Sequence, residues 1–426
     1  MNIIKYPPRE HWEKIIERPA FDHSHLFESV KKILEDVRLN GDKAVAAYGE
    51  QFDKVVLEHF AVTSAEMDEA ERLVPETLKA AIRVSSANIE TFHRSQQLAP
   101  QKIETMPGVV CWQKPAGIEK VGLYIPGGTA PLFSTVLMLA IPARIAGCRE
   151  IILCSPPAKD GKIHPAILYA ARQAGVSRMF KIGGIQAIAA MTYGTETVPR
   201  VYKIFGPGNQ YVTAAKQLVA LRDVAIDMPA GPSEVEVIAD KTANPAFVAA
   251  DLLSQAEHGA DSQAMLVTTC EKVAEKVVVE IERQLNELPR KELAEQSLEH
   301  SRIVVLKDHD EVIDFTNAYA PEHLIIETKD YAALAERVIN AGSVFLGHFT
   351  PESAGDYASG TNHTLPTNGY ARMYSGVNLD SFVKKITFQE ISQEGIRNIG
   401  QAIETMAQAE SLQAHSNAVS LRTRNS

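Results

Sequence analysis

Cysteine is scarce in this chain: the four present, Cys111, Cys148, Cys154 and Cys270, are widely spaced and form no CxxC pair. That argues against a zinc ribbon or a disulfide framework and leaves buried structural thiols as the expected role, with a catalytic thiol as the lesser alternative. A long hydrophobic run is also missing. The most apolar stretch, "STVLMLAIPARIAG", is interrupted by Pro142 and Arg144 and is too short to span a bilayer, so no membrane association is expected. Positive charge is not in excess, since 43 Lys and Arg stand against 53 Asp and Glu for a formal charge of −10. Nucleic-acid binders concentrate basic side chains, so the expected partner is a small molecule and not a nucleic acid. The opening "MNIIKYPPREHWEK" has no basic region followed by an apolar core and a cleavage site, and the expected location is cytoplasmic. Neither HExxH nor GxGxxG occurs, which removes the common zinc-protease and dinucleotide signatures.

What is present points to a multidomain folded protein. A chain of 426 residues exceeds one small core, and 45% hydrophobic with 23% charged residues is the balance of an ordinary globular protein. The first hundred residues carry apolar side chains at helical spacing, in "HLFESVKKILEDVRLNGDKAVAAYGEQF" with a break at Gly41 and again in "SAEMDEAERLVPETLKAAIRVSSANIETFHRSQ". From residue 121 the pattern changes to short β-rich runs, "VGLYI", "REIILC", "RMFKI", "RVYKIF" and "DVAIDM", alternating with amphipathic stretches. After the turn-like "PAGPSE" the alternation restarts with "VEVIAD", "QAMLVTT", "RIVVL", "HLIIE" and "SVFL". This rhythm is that of βαβ units. The expected fold is α/β, two tandem Rossmann-like parallel-sheet modules with helical N-terminal and C-terminal extensions. The divisions are an N-terminal arm over 1–19, a first α/β domain from 20–120 and 233–377, a second α/β domain over 121–232, and a helical tail over 378–426 suited to dimerisation.

The polar motifs cluster in a few segments. Gln255 and His258, in "LLSQAEHGADSQ", are three positions apart on one helical face, so an amide and an imidazole converge just before Gly259, which permits a left-handed helix stop. "APEHLII" puts Glu322 and His323 at a loop-to-strand junction, and "FTPESAGDYASGTNHTLPT" gathers Glu352, Asp356 and His363 in a segment rich in Gly and hydroxyls. Imidazole nitrogens, a carboxylate and an amide oxygen are all zinc donors, and open positions would mark a catalytic site. Two strand–turn–helix segments, "YIPGGTAPLFSTV" and "KIFGPGNQYVTAAKQLV", suit a cofactor cleft, although Tyr211 stands where the third glycine of a dinucleotide fingerprint would be.

Taken together, these segments resemble the histidinol dehydrogenase family over nearly the whole chain. The resemblance is carried by "VGLYIPGGTAPLFSTVLMLAIPARIAGC", "FGPGNQYVTAAK", "DMPAGPSEV", "DLLSQAEHG", "APEHL", "GHFTPESAGDYASGTNHTLPT", "SFVKKITFQE" and "ESLQAHSNAVSLR", in that order. It implies zinc held by Gln255, His258, Asp356 and His415, the last from a second subunit, and therefore a homodimer with composite sites. It implies a catalytic pair Glu322 and His323, substrate contacts from Ser233, His363 and Glu410 beside the zinc ligands, and NAD contacts from Tyr124, Gln186 and Asn209. The implied reaction is oxidation of L-histidinol to L-histidine through an aldehyde with two NAD+. Oxidation of another polar alcohol on the same scaffold, a zinc hydrolase that needs no dinucleotide, and a non-catalytic metal-binding dimer are the alternatives.

Overall fold

The computed structural model describes residues 1–19, 24–127, 130–229 and 231–424. In chain order the strands are β1 (Asn2–Lys5), β2 (Ile103–Met106), β3 (Val109–Gly117), β4 (Lys120–Tyr124), β5 (Glu150–Ser155), β6 (Arg178–Lys181) and β7 (Lys203–Phe205). They continue with β8 (Ala225–Ile226), β9 (Glu234–Ala239), β10 (Gln263–Thr268), β11 (Arg302–Val305), β12 (His323–Glu327), β13 (Ser343–Leu346) and β14 (Val383–Ile391). Each strand expected from the two alternating stretches is formed.

One parallel sheet has the order β6-β5-β4-β7-β8, and a second has β11-β10-β9-β12-β13 with β1 added beside β11. Counted from the first strand of each module, both follow the doubly wound order, with a reversal between β4 and β7 in one and between β9 and β12 in the other. The two expected Rossmann-like modules are therefore present. Strand chemistry explains the placement of β12, whose five residues are all buried. Ile325 faces one core with Val235 and Val237, while Leu324 and Ile326 face the opposite core with Trp12 and Phe315. Such two-sided burial is what a central parallel strand requires.

The extensions differ from the sequence expectation in three respects. The N-terminal arm contains β1, paired in register with β11 from Asn2 opposite Arg302 to Lys5 opposite Val305, so it widens the sheet of the second module in the chain. The early helices turn their apolar faces mainly to residues 121–232 and not to 233–377, which they meet through Ser85 and Asn88, donors to the Tyr357 and Ala358 carbonyls. Leu26, Val30, Leu34, Val37 and Val45 pack on Ile185, Ile188 and Val212, and Ile82 and Ile89 pack on Leu137 and Ile141. They form outer layers on the helices that flank the two faces of the β4–β8 sheet. The break at Gly41 is present, with φ 53°. Finally, the C-terminal segment is not helical throughout: β14 pairs antiparallel with β3 along its whole length, and β3 with β2, before the helices Gln393–Ala409 and Gln413–Arg424. Ile386, Thr387 and Phe388 are β-formers, and a two-sided, largely exposed ribbon gives no clean alternation to read.

Phe382 anchors this ribbon to the β4–β8 module. Its ring is fully buried and stacks on Phe205 with centroids 4.1 Å apart, and its carbonyl accepts the Ile118 N–H. Truncation to Ala leaves a cavity that neighbouring strands cannot close. We expect Phe382→Ala to cost about 3–5 kcal/mol, read as a lower urea midpoint. An unchanged midpoint would show that the ribbon is not held there. Among the described residues, no helix is long and apolar enough to cross a membrane.

Candidate active site

The helix Pro245–Ala256 is started by Asn244, whose side chain accepts the Ala246 N–H, and by Pro245 in its first turn. Its face of Val248, Leu252 and Ala256 is buried in the core of the β9–β13 sheet, which fixes its last turn at the amino edge of that sheet. Gln255 lies in that turn, and the His258 N–H bonds to its carbonyl at 3.2 Å. Gly259 is not the left-handed stop expected from the sequence. Its want of a Cβ instead makes room for Asp261, whose Oδ1 lies 2.6 Å from where that atom would be.

Glu322 and His323 enter at the start of β12, where His323 pairs with Val235 of β9. Ala320, at φ 53°, closes the preceding helix and turns the chain into the strand. Asp356 stands in the last turn of the helix Glu352–Tyr357, one turn beyond Glu352. The three segments meet. One ligand atom from each of His258, Glu352 and Asp356 lies within 4.8 Å of the other two, and His323 Nε2 is 3.9 Å from Asp356 Oδ1. His323 Nδ1 is 3.5 Å from Glu322 Oε2 and 3.8 Å from Glu352 Oε1.

Hydrogen bonds fix the protonation pattern. His323 Nδ1 lies 3.2 Å from the Glu234 carbonyl oxygen, which only accepts, so the proton sits on Nδ1 and Nε2 presents a lone pair. Nε2 has no hydrogen-bond partner and is buried. Burial holds the His323 pKa down to about 3, so the ring is neutral. Glu322 Oε2 accepts the Glu234 N–H at 2.9 Å, while burial raises the pKa of Glu322, and likewise that of Glu352, well above the carboxylate range. Asp356 is raised to about 6 by burial, and His258 is lowered by crowding and by Arg290. Gln255 is fully buried with neither amide atom partnered. An orphaned amide, neutral imidazoles and acids crowded away from water are the donor set that a divalent cation satisfies.

His363 joins this cluster to the other module. Its Nδ1 donates to the Asp356 carbonyl (3.0 Å), leaving Nε2 to accept from Thr135 Oγ1 (3.1 Å) in the helix that follows β4. Asn362 Nδ2 donates to the Met138 carbonyl of the same helix at 2.6 Å. Across that junction lie Tyr124, Gln186 and Asn209, at the carboxyl ends of β4, β6 and β7. Tyr124 Oη accepts the Gly184 N–H at 3.0 Å, Gln186 Nε2 donates to Asp53 Oδ2 at 3.3 Å with Oε1 unpartnered, and Asn209 caps the helix Gln210–Ala220. The carboxyl edge of a doubly wound sheet is where such folds bind dinucleotides. Gly128 and Thr129, in the other turn singled out by sequence, lie outside the described residues.

Ser233 is half-buried just ahead of Glu234, whose backbone meets Glu322 and His323. His415 and Glu410 behave differently. Both are exposed on the C-terminal helical hairpin, which packs on itself and on the ribbon, and neither belongs to the cluster this chain forms alone. Two contributors escaped the sequence reading. Glu352 was noted only as part of a polar loop, although its spacing of four from Asp356 is one helical turn, and the backbone of Glu234 orients both Glu322 and His323, for which no sequence signal exists. Cys154 is fully buried and burial pushes the Cys148 thiol up to about 12, in keeping with structural roles.

A doubly wound module facing a histidine and carboxylate cluster across one junction is the arrangement that a dinucleotide-dependent oxidoreductase requires. The profile described as histidinol dehydrogenase matches residues 16–423. The chain is 67% identical over 422 residues to a histidinol dehydrogenase of Bacteroides thetaiotaomicron, covering 99% of each, and 52% identical over 416 residues to that of Escherichia coli K12, covering 97% of this chain and 95% of the other. It matches the crystal structure of histidinol dehydrogenase from Elizabethkingia anophelis with a TM-score of 0.99 and 55% identity, covering 100% of this chain and 98% of that one. The chain belongs to the histidinol dehydrogenase family.

Proposed function

We propose that the protein is a zinc-dependent homodimer that oxidises L-histidinol to L-histidine, by way of the aldehyde, with two NAD+. That it is an NAD-dependent oxidoreductase acting on an alcohol and then on an aldehyde follows from its family. The zinc ligands are Gln255, His258 and Asp356 of one protomer with His415 of the partner subunit. The observation that carries this reading is the orphaned Gln255 amide, fully buried beside the cluster of His258, Glu352 and Asp356. When bound, zinc supplies Lewis acidity and a fixed point for the amine and imidazole of the substrate. NAD+, held beside Tyr124, Gln186 and Asn209, would supply the hydride acceptor.

The chain's own residues move the protons. His323, with its lone pair at Nε2, takes the proton of the substrate alcohol. Glu322 acts on water that hydrates the aldehyde, and the same histidine serves the second oxidation. Ser233 and His363 of this protomer and Glu410 of the partner subunit supply contacts that select the imidazolyl amino alcohol. Tyr124, Gln186 and Asn209 bound the cofactor.

Dimerisation through the tail is supported by the apolar side chains that the ribbon and hairpin leave exposed: Ile386 at 42%, Phe388 at 36%, Met406 at 65% and Leu421 at 62%. Four free cysteines suit the reducing cytoplasm, where this reading places the protein. The direct test is NADH formed per L-histidinol consumed, with and without a chelator. We expect a ratio of about two that is lost with the metal and restored by zinc, the stoichiometry of two successive hydride transfers. A ratio of one would remove the aldehyde oxidation from this site, and activity that survives metal removal would remove zinc.

A further inference from the structure

The turn that leads from β7 into the helix Gln210–Ala220 is gripped from behind by a buried ion pair. Gly206 has φ +121°, and a Cβ there would lie 2.0 Å from the Tyr124 carbonyl oxygen, so the two strand ends that form the switch point touch at this residue. Its N–H donates to Asp227 Oδ2 at 2.8 Å, and its carbonyl accepts from Lys216 Nζ at 2.8 Å. Lys216 Nζ and Asp227 Oδ1 are 2.5 Å apart, with side chains 6% and 2% exposed. Asp227 Oδ1 also accepts the Met228 N–H at 2.8 Å, so the carboxylate is itself held rigidly. Both polar groups of one glycine are thus clasped by the two ends of a single ion pair.

A buried ion pair is a poor way to gain stability, because desolvating both charges offsets most of their attraction and apolar residues of similar size often serve as well. Lys216 lies on the buried face of its helix, between Ala215 and Val219, where an apolar side chain would pack. What an apolar residue cannot do is orient the Gly206 peptide. We propose that Lys216 and Asp227 are positioning residues for NAD+: they hold the turn Gly206–Asn209, and with it the placement of Asn209, against the dinucleotide. This rests on the cofactor reading given above. The pair acts through the turn and touches neither substrate nor zinc ligands.

The test uses the full-length, zinc-loaded protein. The double variant Lys216→Met with Asp227→Asn removes the clasp without leaving one buried charge unpaired, and Lys216→Gln with Asp227→Asn is the milder neutral form. We expect the double variant to raise both the dissociation constant for NADH, followed by fluorescence titration, and the KM for NAD+ about tenfold, the weight of one lost charge-assisted hydrogen bond. Zinc content, KM for L-histidinol and kcat at saturating NAD+ should stay within about twofold, and Lys216→Arg should recover most of the affinity. If the double variant does not fold, Lys216→Gln with Asp227→Asn is read in the same titration, with a smaller rise expected. Unchanged NADH affinity in a folded variant overturns the proposal, as does a kcat that falls while NADH affinity holds. Asn209→Asp, which keeps the helix cap but sets a negative charge at the turn, separates the two readings. If it weakens NADH binding while the clasp variants do not, only the clasp fails. If neither does, the cofactor site lies elsewhere and both fail.

Discussion

Replacing His323 by Asn should lower kcat about a thousandfold while leaving zinc content and fold in place. The expectation follows from the geometry of the ring. Its Nδ1 proton is committed to the Glu234 carbonyl, so the lone pair at Nε2, buried and without a partner, is the only basic site the residue offers. Burial holds the pKa down to about 3, so the imidazole is neutral and Nε2 is unprotonated throughout the physiological range. An Asn amide can still donate to Glu234 but has no basic nitrogen. Steady-state NADH formation beside metal analysis of the same preparation checks the prediction. A variant that keeps normal turnover would show that His323 is not the base, and one that loses zinc in proportion to activity would make it a ligand instead.

The second large effect concerns the composite site. His258→Asn and His415→Asn homodimers should each retain little zinc and little activity, since each lacks a ligand at both sites. Mixing the two variants under conditions that exchange subunits should restore activity to about a quarter of the wild-type level. Random pairing makes about half of the dimers mixed, and each mixed dimer has one site with every ligand intact and one site lacking two. The structure motivates this directly, because His415 is exposed on a hairpin that packs against the ribbon while His258 belongs to the cluster of the main body. No recovery on mixing, with subunit exchange demonstrated, would refute a ligand shared between subunits. Full activity in the His415→Asn homodimer would remove that residue from the site altogether.

Both predictions use residues that were legible before any coordinates. The i,i+3 pair Gln255 and His258 was visible because helical spacing is a local property, and Glu322–His323 because a polar pair ahead of "LII" marks a strand entrance. Other features were not legible. Nothing local marks that Ser233 and His323, 90 positions apart, enter at neighbouring strand starts, which is set by the pairing of β9 with β12. Nor did it indicate that His363 would have both nitrogens engaged, one of them with Thr135 in the other module. The tail was misread in part because β14 draws its stability from β3, a strand more than 260 positions earlier, and not from its own periodicity.

By itself, then, the sequence determined the alternation of strands and helices, the two-module α/β class, the family and the residue types able to hold a metal and move protons. These are local facts of spacing and chemistry, written in runs of ten or twenty residues. The tertiary structure decided which layer the early helices cover, that the amino edge of one sheet meets the carboxyl edge of the other, and which nitrogen of His323 is free. Those depend on contacts between segments far apart in the chain, where burial and a backbone carbonyl set by strand register choose among arrangements that local propensity leaves equal.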